Sequence, residues 1–351
     1  MSGPHVAIDA RWVQGAHVHA GVGRALAQVI PRIAAHPAIG AVTLLTDAAA
    51  PATGMGLPEV PLRSPVPQLS AVWLQVAAPR WLARHRDTVF HCDWYGLPYR
   101  QPVPMAATLH DILFEHRPEW YRRSRLAVFR AQARHAARTA RCLIAPSEHV
   151  RADIAQTYDV DPARIVVAAR SFDPIFRPDA GAPWLERPYV VALGGAQRRR
   201  LDIAVAAWRA SGVDADLVVL GPPSELTAGD DPRLHAAGRL SDDDWARCLA
   251  GAEALLYPTE EEGFGLPALE AMASGTPVVC ARAGSLPEVV GPVAAWVEEA
   301  TVPAFSAALR ALLGDDSRRA RLRTDGIARA AQSSWERCAD AYVEAIVRSA
   351  R

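Results

Sequence analysis

The chain contains no lysine among its 351 residues, so all 38 of its basic residues are arginine. That absence excludes a Walker A phosphate loop, which needs Gly-Lys-Ser/Thr, and any Schiff-base chemistry on a lysine amine. No apolar run reaches the roughly 18 residues of a candidate membrane span. Cys92, Cys142, Cys248, Cys280 and Cys338 are odd in number and far apart, and no Cys-x-x-Cys occurs. This pattern predicts free thiols in a reducing compartment and no zinc knuckle. The opening MSGPHVAIDAR lacks the basic-then-apolar layout of a secretory leader. A cytoplasmic protein is therefore expected. Net charge is also absent, but only as a sum. Residues 1–178 carry 20 arginines and 13 acids, giving +7, and residues 179–351 carry 18 and 25, giving −7.

Half of the residues are hydrophobic, and the length suits two domains. The most informative stretch runs YPTEEEGFGLPALEAMASGTPVVC, from Tyr257 to Cys280. EALLY before it reads as a buried strand. Gly263, Phe264 and Gly265 place two glycines around one aromatic, which lets backbone N–H groups approach a ligand. Pro267 suits the first helical position, Ala268 to Ser274 continue the helix, and Gly275 stops it. Strand, glycine loop and helix N-terminus make a seat for a phosphate. Glu262 and Glu270, eight positions apart, flank that seat. Carboxylates accept sugar hydroxyl pairs, so the two suggest a ligand that is part phosphate and part sugar. Taken singly, Glu270 on the first helical turn also reads as a helix-dipole partner and Glu262 as a solvated loop charge.

EGFGLPALEAMASGTPVV resembles the donor-site signature of the retaining nucleotide-sugar glycosyltransferases of family 4. The resemblance implies the GT-B fold: two Rossmann-like α/β domains facing a cleft, with a C-terminal helix returning to the first domain. It places an acceptor-binding domain at 1–175, a nucleotide-sugar domain at 176–333 and the returning helix at 334–351. It gives Glu262 to the donor sugar and Glu270 to the nucleotide ribose, with Gly263, Phe264, Gly265 and Leu266 forming the donor loop. Other segments match in order. HVAIDA is the first strand, and Gly21, Gly23 and Arg24 resemble the family's Gly-Ile-Gly-Arg over the donor phosphates. A dinucleotide fingerprint fails there, because Leu26 takes its third small position. His17 and His19 lack a third metal ligand nearby.

TVFHC (Thr88–Cys92) and PMAATLHD (Pro104–Asp111) read as strands, the second ending in His110-Asp111. The family has a His-Asp pair there, lining the sugar and acceptor region; a structural, strand-capping histidine is the competing reading. Ser147 opens a helix after the strand Cys142–Ala145. Where the family continues Pro-Asn-Gly-Val-Asp, this chain has Ala169-Arg170-Ser171-Phe172-Asp173. A proline-rich linker leads to YVVALGG and then AQRRRLD. The family's Gly-Gly and Arg-Lys-Asn fall on Gly194-Gly195 and Arg198-Arg199-Arg200. Arg198 and Arg199 then neutralise the donor diphosphate, Arg199 standing for lysine. Gly195 joins the donor-binding set, and Arg239 lies near the base.

Asp242-x-Asp244 looks like the metal-binding motif of the other glycosyltransferase fold, but Ser241 with Asp244 three residues on reads as a helix cap. No metal and no cofactor are expected. The expected reaction is retaining transfer of a hexose from a GDP-, UDP- or dTDP-sugar to a hydroxyl of a glycan, glycolipid or small metabolite. His110, Glu262, Arg198 and Arg199 are the candidate catalytic residues, and Asp111 and His110 the acceptor side. A nucleotide-sugar epimerase on the same fold and a silent nucleotide-sugar-binding protein are the alternatives. Trp120 to Ala140 reads as a basic helix with Arg130, Arg134 and Arg138 in one stripe. That stripe is either a solvated face or a peripheral contact with the inner face of an anionic membrane. Nucleic acid is not expected, since no aromatic platform is interleaved with the arginines.

Overall fold

Short apolar runs, each followed by a helical segment, fold as alternating parallel strands and helices. The computed structural model describes residues 3–15, 21–66, 70–222 and 231–351. His17 and His19 lie outside those residues. The chain divides into two compact units, Met1–Arg170 with Trp335–Arg351, and Ser171–Ser334. The sequence predicts the first division at residue 175. The units part earlier because Phe176 is buried in the second unit's core, with Phe172 and Ile175 packed against it.

The strands of the first unit are β1 (His5–Asp9), β2 (Ala41–Asp47), β3 (Glu59–Leu62), β4 (Thr88–Cys92), β5 (Met105–Thr108), β6 (Cys142–Ala145) and β7 (Ile165–Val167). Among the described residues they form one sheet in the order β3-β2-β1-β4-β5-β6-β7, every pairing parallel. The near-continuous apolar runs of its inner strands follow from burial on both faces, whereas the edge strand β3 is only partly buried. Ala7 of β1 joins a core with Trp73, Phe90 and Phe114. Val6 and Ile8, pointing the other way, join one with Leu26, Ile30 and Ile33 of the helix Gly21–Ala35. The last helix, Trp335–Ala350, packs into that second core through Cys338, Tyr342, Val343 and Ile346. It therefore belongs to the first unit although it ends the chain. Gly21, Gly23 and Arg24 lie on the helix Gly21–Ala35, whose buried residues include Gly23, Ala25 and Leu26.

The second unit repeats the plan. β8 (Tyr189–Leu193), β9 (Asp216–Leu220), β10 (Leu234–Gly238), β11 (Ala254–Tyr257), β12 (Val278–Ala281) and β13 (Ala295–Val297) order as β10-β9-β8-β11-β12-β13 among the described residues. β10 was not expected. It is a half-buried edge strand, without the apolar run that marks the others. In both sheets the strand order reverses beside the first strand of the unit, at β1/β4 and β8/β11. Open α/β sheets bind ligands at the carboxyl ends of the strands at such a switch point. These are Rossmann-like α/β units of the GT-B type.

The basic helix is Arg123–Thr139, and its stripe is partly committed inside the unit. Arg130 and Arg134 both pair with the carboxylate of Glu115, at 2.8 and 3.2 Å. Glu115 also accepts from the Tyr158 hydroxyl at 3.3 Å.

Candidate active site

In the second unit, the residues after β8 and those after β11 meet at the switch point. β8 runs into Gly194-Gly195 and a single turn, Gln197–Arg199. β11 ends on Tyr257 and runs into the acidic turn. The two turns are stitched together through the main chain: the Arg198 carbonyl accepts from Glu260 N at 2.8 Å and from Thr259 Oγ1 at 3.1 Å. The side chains follow. Arg198 Nε lies 3.4 Å from Glu262 Oε1, and the buried Tyr257 hydroxyl donates to the same oxygen. The Glu262 carbonyl accepts from both N and Oγ of Ser285, each at 3.0 Å.

Arg199 turns back and donates from Nη1 to the Gly194 carbonyl at 2.7 Å, while its Nε is buried without a hydrogen-bond partner. Arg199 makes no ion pair with any described carboxylate. Its charge is therefore not cancelled locally, as an anion seat requires. Arg200 is different. It sits in the left-handed region at φ 46°, and its guanidinium pairs with Asp202 at 2.8 Å and with Glu260. The family's asparagine at that position tolerates this conformation better than arginine does.

The glycine loop ends at Gly265, whose φ of 91° is one that only glycine adopts at low cost. A Cβ there would also lie 2.5 Å from Leu286 Cδ2. The helix that follows is Leu266–Ala273, with Pro267 second rather than first. Glu270 is therefore its fifth residue, beyond the first turn, and the helix-dipole reading of Glu270 does not hold. Glu270 is 3 % exposed, and its Oε2 accepts from Trp245 Nε1 at 2.8 Å. Trp245 comes from the helix Asp242–Ala250, capped by Ser241 Oγ on Asp244 N at 3.1 Å. The capping reading of Ser241 and Asp244 is thus the structural one. Phe264 is buried, and Arg239 is exposed just beyond β10. Gly263 on the loop and Leu266 at the start of the helix are half-buried, and Gly195 is exposed.

The candidate residues of the first unit sit at the carboxyl ends of β4 and β5. His110 Nε2 bonds to the Asp93 carbonyl at 3.1 Å and lies 3.2 Å from Asp93 Oδ2. Arg170 Nη2 donates to His110 Nδ1 at 2.5 Å. An acceptor nitrogen at Nδ1 places the ring proton on Nε2. Asp93 is fully buried and takes a 2.8 Å hydrogen bond from Tyr342 of the last helix. Burial alone would raise the Asp93 carboxyl; His110, His91 and Thr108 outweigh it and hold the group below the usual carboxylate range. Burial lowers His91 against the pull of Asp93 and Asp9. Asp111 acts locally, its Oδ1 accepting from the Tyr95 hydroxyl at 3.1 Å and from Leu113 N at 3.2 Å. Gly21 and Gly23 lie in the first turn of their helix.

Asp93, Tyr342, Trp245 and Tyr257 do not stand out in the sequence. Asp93 directly follows the strand ending HC, as His110 closely follows its own. That parallel is the signal the sequence carries. The five cysteines are all buried and free.

Two family models match the chain, one described as Glycosyltransferase Family 4 over residues 20–175 and one as Glycosyl transferases group 1 over residues 187–315. The chain is 34 % identical over 277 residues to the MMP alpha-(1->4)-mannosyltransferase of Mycolicibacterium hassiacum, spanning 70 % of this chain and 67 % of that protein. It is 29 % identical over 296 residues to the O-antigen chain mannosyltransferase B of Escherichia coli, spanning 76 % of each. Among solved structures it resembles WaaG, a glycosyltransferase involved in lipopolysaccharide biosynthesis, with a TM-score of 0.74 at 16 % identity over 97 % of this chain and 99 % of that one. It also resembles Anabaena Alr3699/HepE in complex with UDP and glucose, with a TM-score of 0.70 at 16 % identity over 94 % and 95 %.

Proposed function

The chain belongs to glycosyltransferase family 4 and is a glycosyltransferase, and from that premise we propose that it moves a hexose from a nucleotide diphosphate sugar to a hydroxyl acceptor with retention at the anomeric carbon. The observation that carries the donor side is the meeting of Arg198, Arg199 and Glu262 at the carboxyl ends of β8 and β11. Arg199 supplies a cation without a carboxylate partner, and Glu262 supplies an acceptor for sugar hydroxyls. Glu270, oriented by Trp245, takes the ribose.

In the reaction the acceptor oxygen bonds to the anomeric carbon as the bond from that carbon to the diphosphate oxygen breaks. The diphosphate leaves with the electron pair and takes the acceptor proton. Negative charge therefore grows on the diphosphate, where Arg199 and the loop N–H groups stabilise the transition state more than the ground state. The family resemblance assigns Gly21 and Gly23 to the donor phosphates and Arg239 to the base. His110 and Asp111 serve the acceptor side, His110 through its fixed ring. No divalent metal takes part.

The two relatives described above as mannosyltransferases make GDP-mannose the first donor to test. UDP-glucose is second, since the Anabaena neighbour was solved with UDP and glucose. A thermal-shift screen of both sugars and their nucleotide diphosphates tests the reading, because a bound ligand raises apparent stability by mass action. A shift with a matched sugar and diphosphate is expected, with turnover that persists in excess EDTA. No shift with any nucleotide sugar would refute the donor reading; turnover lost to EDTA and restored by magnesium would refute the metal-free one. Membrane attachment is no part of the proposal, because Arg130 and Arg134 are committed to Glu115. No helix among the described residues is long and apolar enough to cross a membrane.

A further inference from the structure

Glu262 is held at both ends. Its main chain is fixed by Ser285, whose N and Oγ both donate to the Glu262 carbonyl. That closeness depends on Gly284, at φ 52°, where a Cβ would stand 2.3 Å from the Glu262 carbonyl oxygen. Its side chain is fixed at one oxygen only. Oε1 takes the hydroxyl of Tyr257 and Nε of Arg198, and Oε2 takes no hydrogen bond from the described residues. Tyr257 is the last residue of β11, fully buried, so its ring cannot swing away from the carboxylate. Burial, and then the charge of Glu262, push its phenol far above the ordinary value, so the hydroxyl remains a donor throughout the working pH range.

From this arrangement we infer that Tyr257 is a positioning residue that aims Glu262. It occupies Oε1 together with Arg198 and so presents Oε2, and Oε2 alone, to the hydroxyls of the transferred sugar. The inference rests on the donor reading above and deepens it. It makes recognition of the sugar separable from recognition of the nucleotide, since the ribose carboxylate Glu270 is held by a different partner, Trp245. A carboxylate with both oxygens unrestrained accepts a hydroxyl in many poses. One pinned at a single oxygen accepts it along one direction. A preset orientation is what a site needs when its contacts must strengthen as the sugar bond breaks.

The experiment is Tyr257→Phe, which removes the hydroxyl and keeps the ring. Affinities for GDP-mannose, UDP-glucose, GDP and UDP are measured by calorimetry, beside turnover. For the donor that wild-type protein uses, Tyr257→Phe should lower sugar-nucleotide affinity or turnover about tenfold to a hundredfold, the range for a hydrogen bond to a charged group. Affinity for the matching nucleotide diphosphate should stay unchanged. In a Glu262→Ala background the same change should cost nothing further. Ser285→Ala, which loosens the other end of Glu262, should give the same selective loss at smaller size and covers the case in which Tyr257→Phe folds poorly. An equal fall in diphosphate affinity overturns the inference, as does a loss that persists in the Glu262→Ala background. If wild-type protein binds no nucleotide sugar, the donor reading fails first and the inference falls with it.

Discussion

Asp93→Asn should destabilise the N-terminal unit more than any single surface change, and the reason is electrostatic. Asp93 is fully buried, with the Tyr342 hydroxyl at 2.8 Å, His110 Nε2 at 3.2 Å and His91 Nε2 at 3.9 Å. Breaking such a buried set by removing one partner costs about 3–5 kcal/mol. That is a large share of the roughly 5–15 kcal/mol by which a domain is stable. Tyr342→Phe removes only one donor to a charged oxygen and should cost about 1.5–3 kcal/mol. The two losses share a contact, so the double variant should cost less than their sum. The sign of the pH effect follows from the depressed carboxyl. Its stabilisation is complete above the unfolded-state carboxylate pKa, about 3.9. It is lost as pH falls from there toward the folded-state value, because the unfolded chain binds the proton first. The stability gap between wild type and Asp93→Asn should therefore narrow between about pH 5 and pH 2.5. Urea unfolding followed by tryptophan fluorescence across that range measures the gap. A gap that is constant with pH, or one under about 1 kcal/mol at neutral pH, would refute the reasoning, since a buried pair costs several times that to break.

Arg199→Ala should lower turnover about a hundredfold or more, by analogy with the roughly 2.7–4 kcal/mol of one lost oxyanion donor. Arg199→Lys keeps the charge and should cost no more than about tenfold, or roughly 1.4 kcal/mol; equal kinetics for Arg199→Ala and wild type would place the diphosphate elsewhere. Glu270→Ala should weaken binding of the free nucleotide diphosphate as well as the donor, and Trp245→Phe should do so less, through the lost 2.8 Å bond. Calorimetry with the diphosphate alone decides this, and unchanged affinity in Glu270→Ala removes the ribose role. Arg200→Asn should leave turnover unchanged and alter stability by no more than about 1 kcal/mol, because a left-handed arginine costs about as much as partly solvated ion pairs return. A larger fall in melting temperature would show that the pairs with Asp202 and Glu260 matter more than the backbone.

The sheets are legible where their strands are continuous apolar runs: HVAIDA, TVFHC and Cys142–Ala145 lie within a residue of β1, β4 and β6. β10 escaped because LHAAG at a half-exposed edge has neither a run nor a clear alternation. The glycine loop before the helix Leu266–Ala273 is legible because glycine spacing and a helix start are local signals, and Gly265 at φ 91° shows why that glycine is needed. What stayed hidden is the layer behind the motif. Tyr342 and Asp93 are 249 residues apart, and Trp245 and Glu270 are 25 apart on different helices. No periodicity encodes such pairings, and each partner alone reads as an ordinary buried side chain. Even Tyr257, five residues before Glu262, is masked by its place at the end of an apolar strand.

The missing lysine is best understood from the three arginines that stand together at 198–200. They look interchangeable in sequence, yet the turn Gln197–Arg199 gives each a separate role. Arg198 reaches forward to Glu262, and its carbonyl ties the acidic turn in place. Arg200 is spent on Asp202 and Glu260, which fix the start of the helix Leu201–Ser211. Only Arg199 has no carboxylate partner among the described residues. Its guanidinium meets a carbonyl, Gly194 O, which orients the fork without cancelling its charge. A lysine in that place would offer a point charge, and an arginine held by one nitrogen still presents others in a fixed plane. A chain without lysine therefore keeps a cation beside Gly194 that no described carboxylate neutralises, and keeps it in a more directional form.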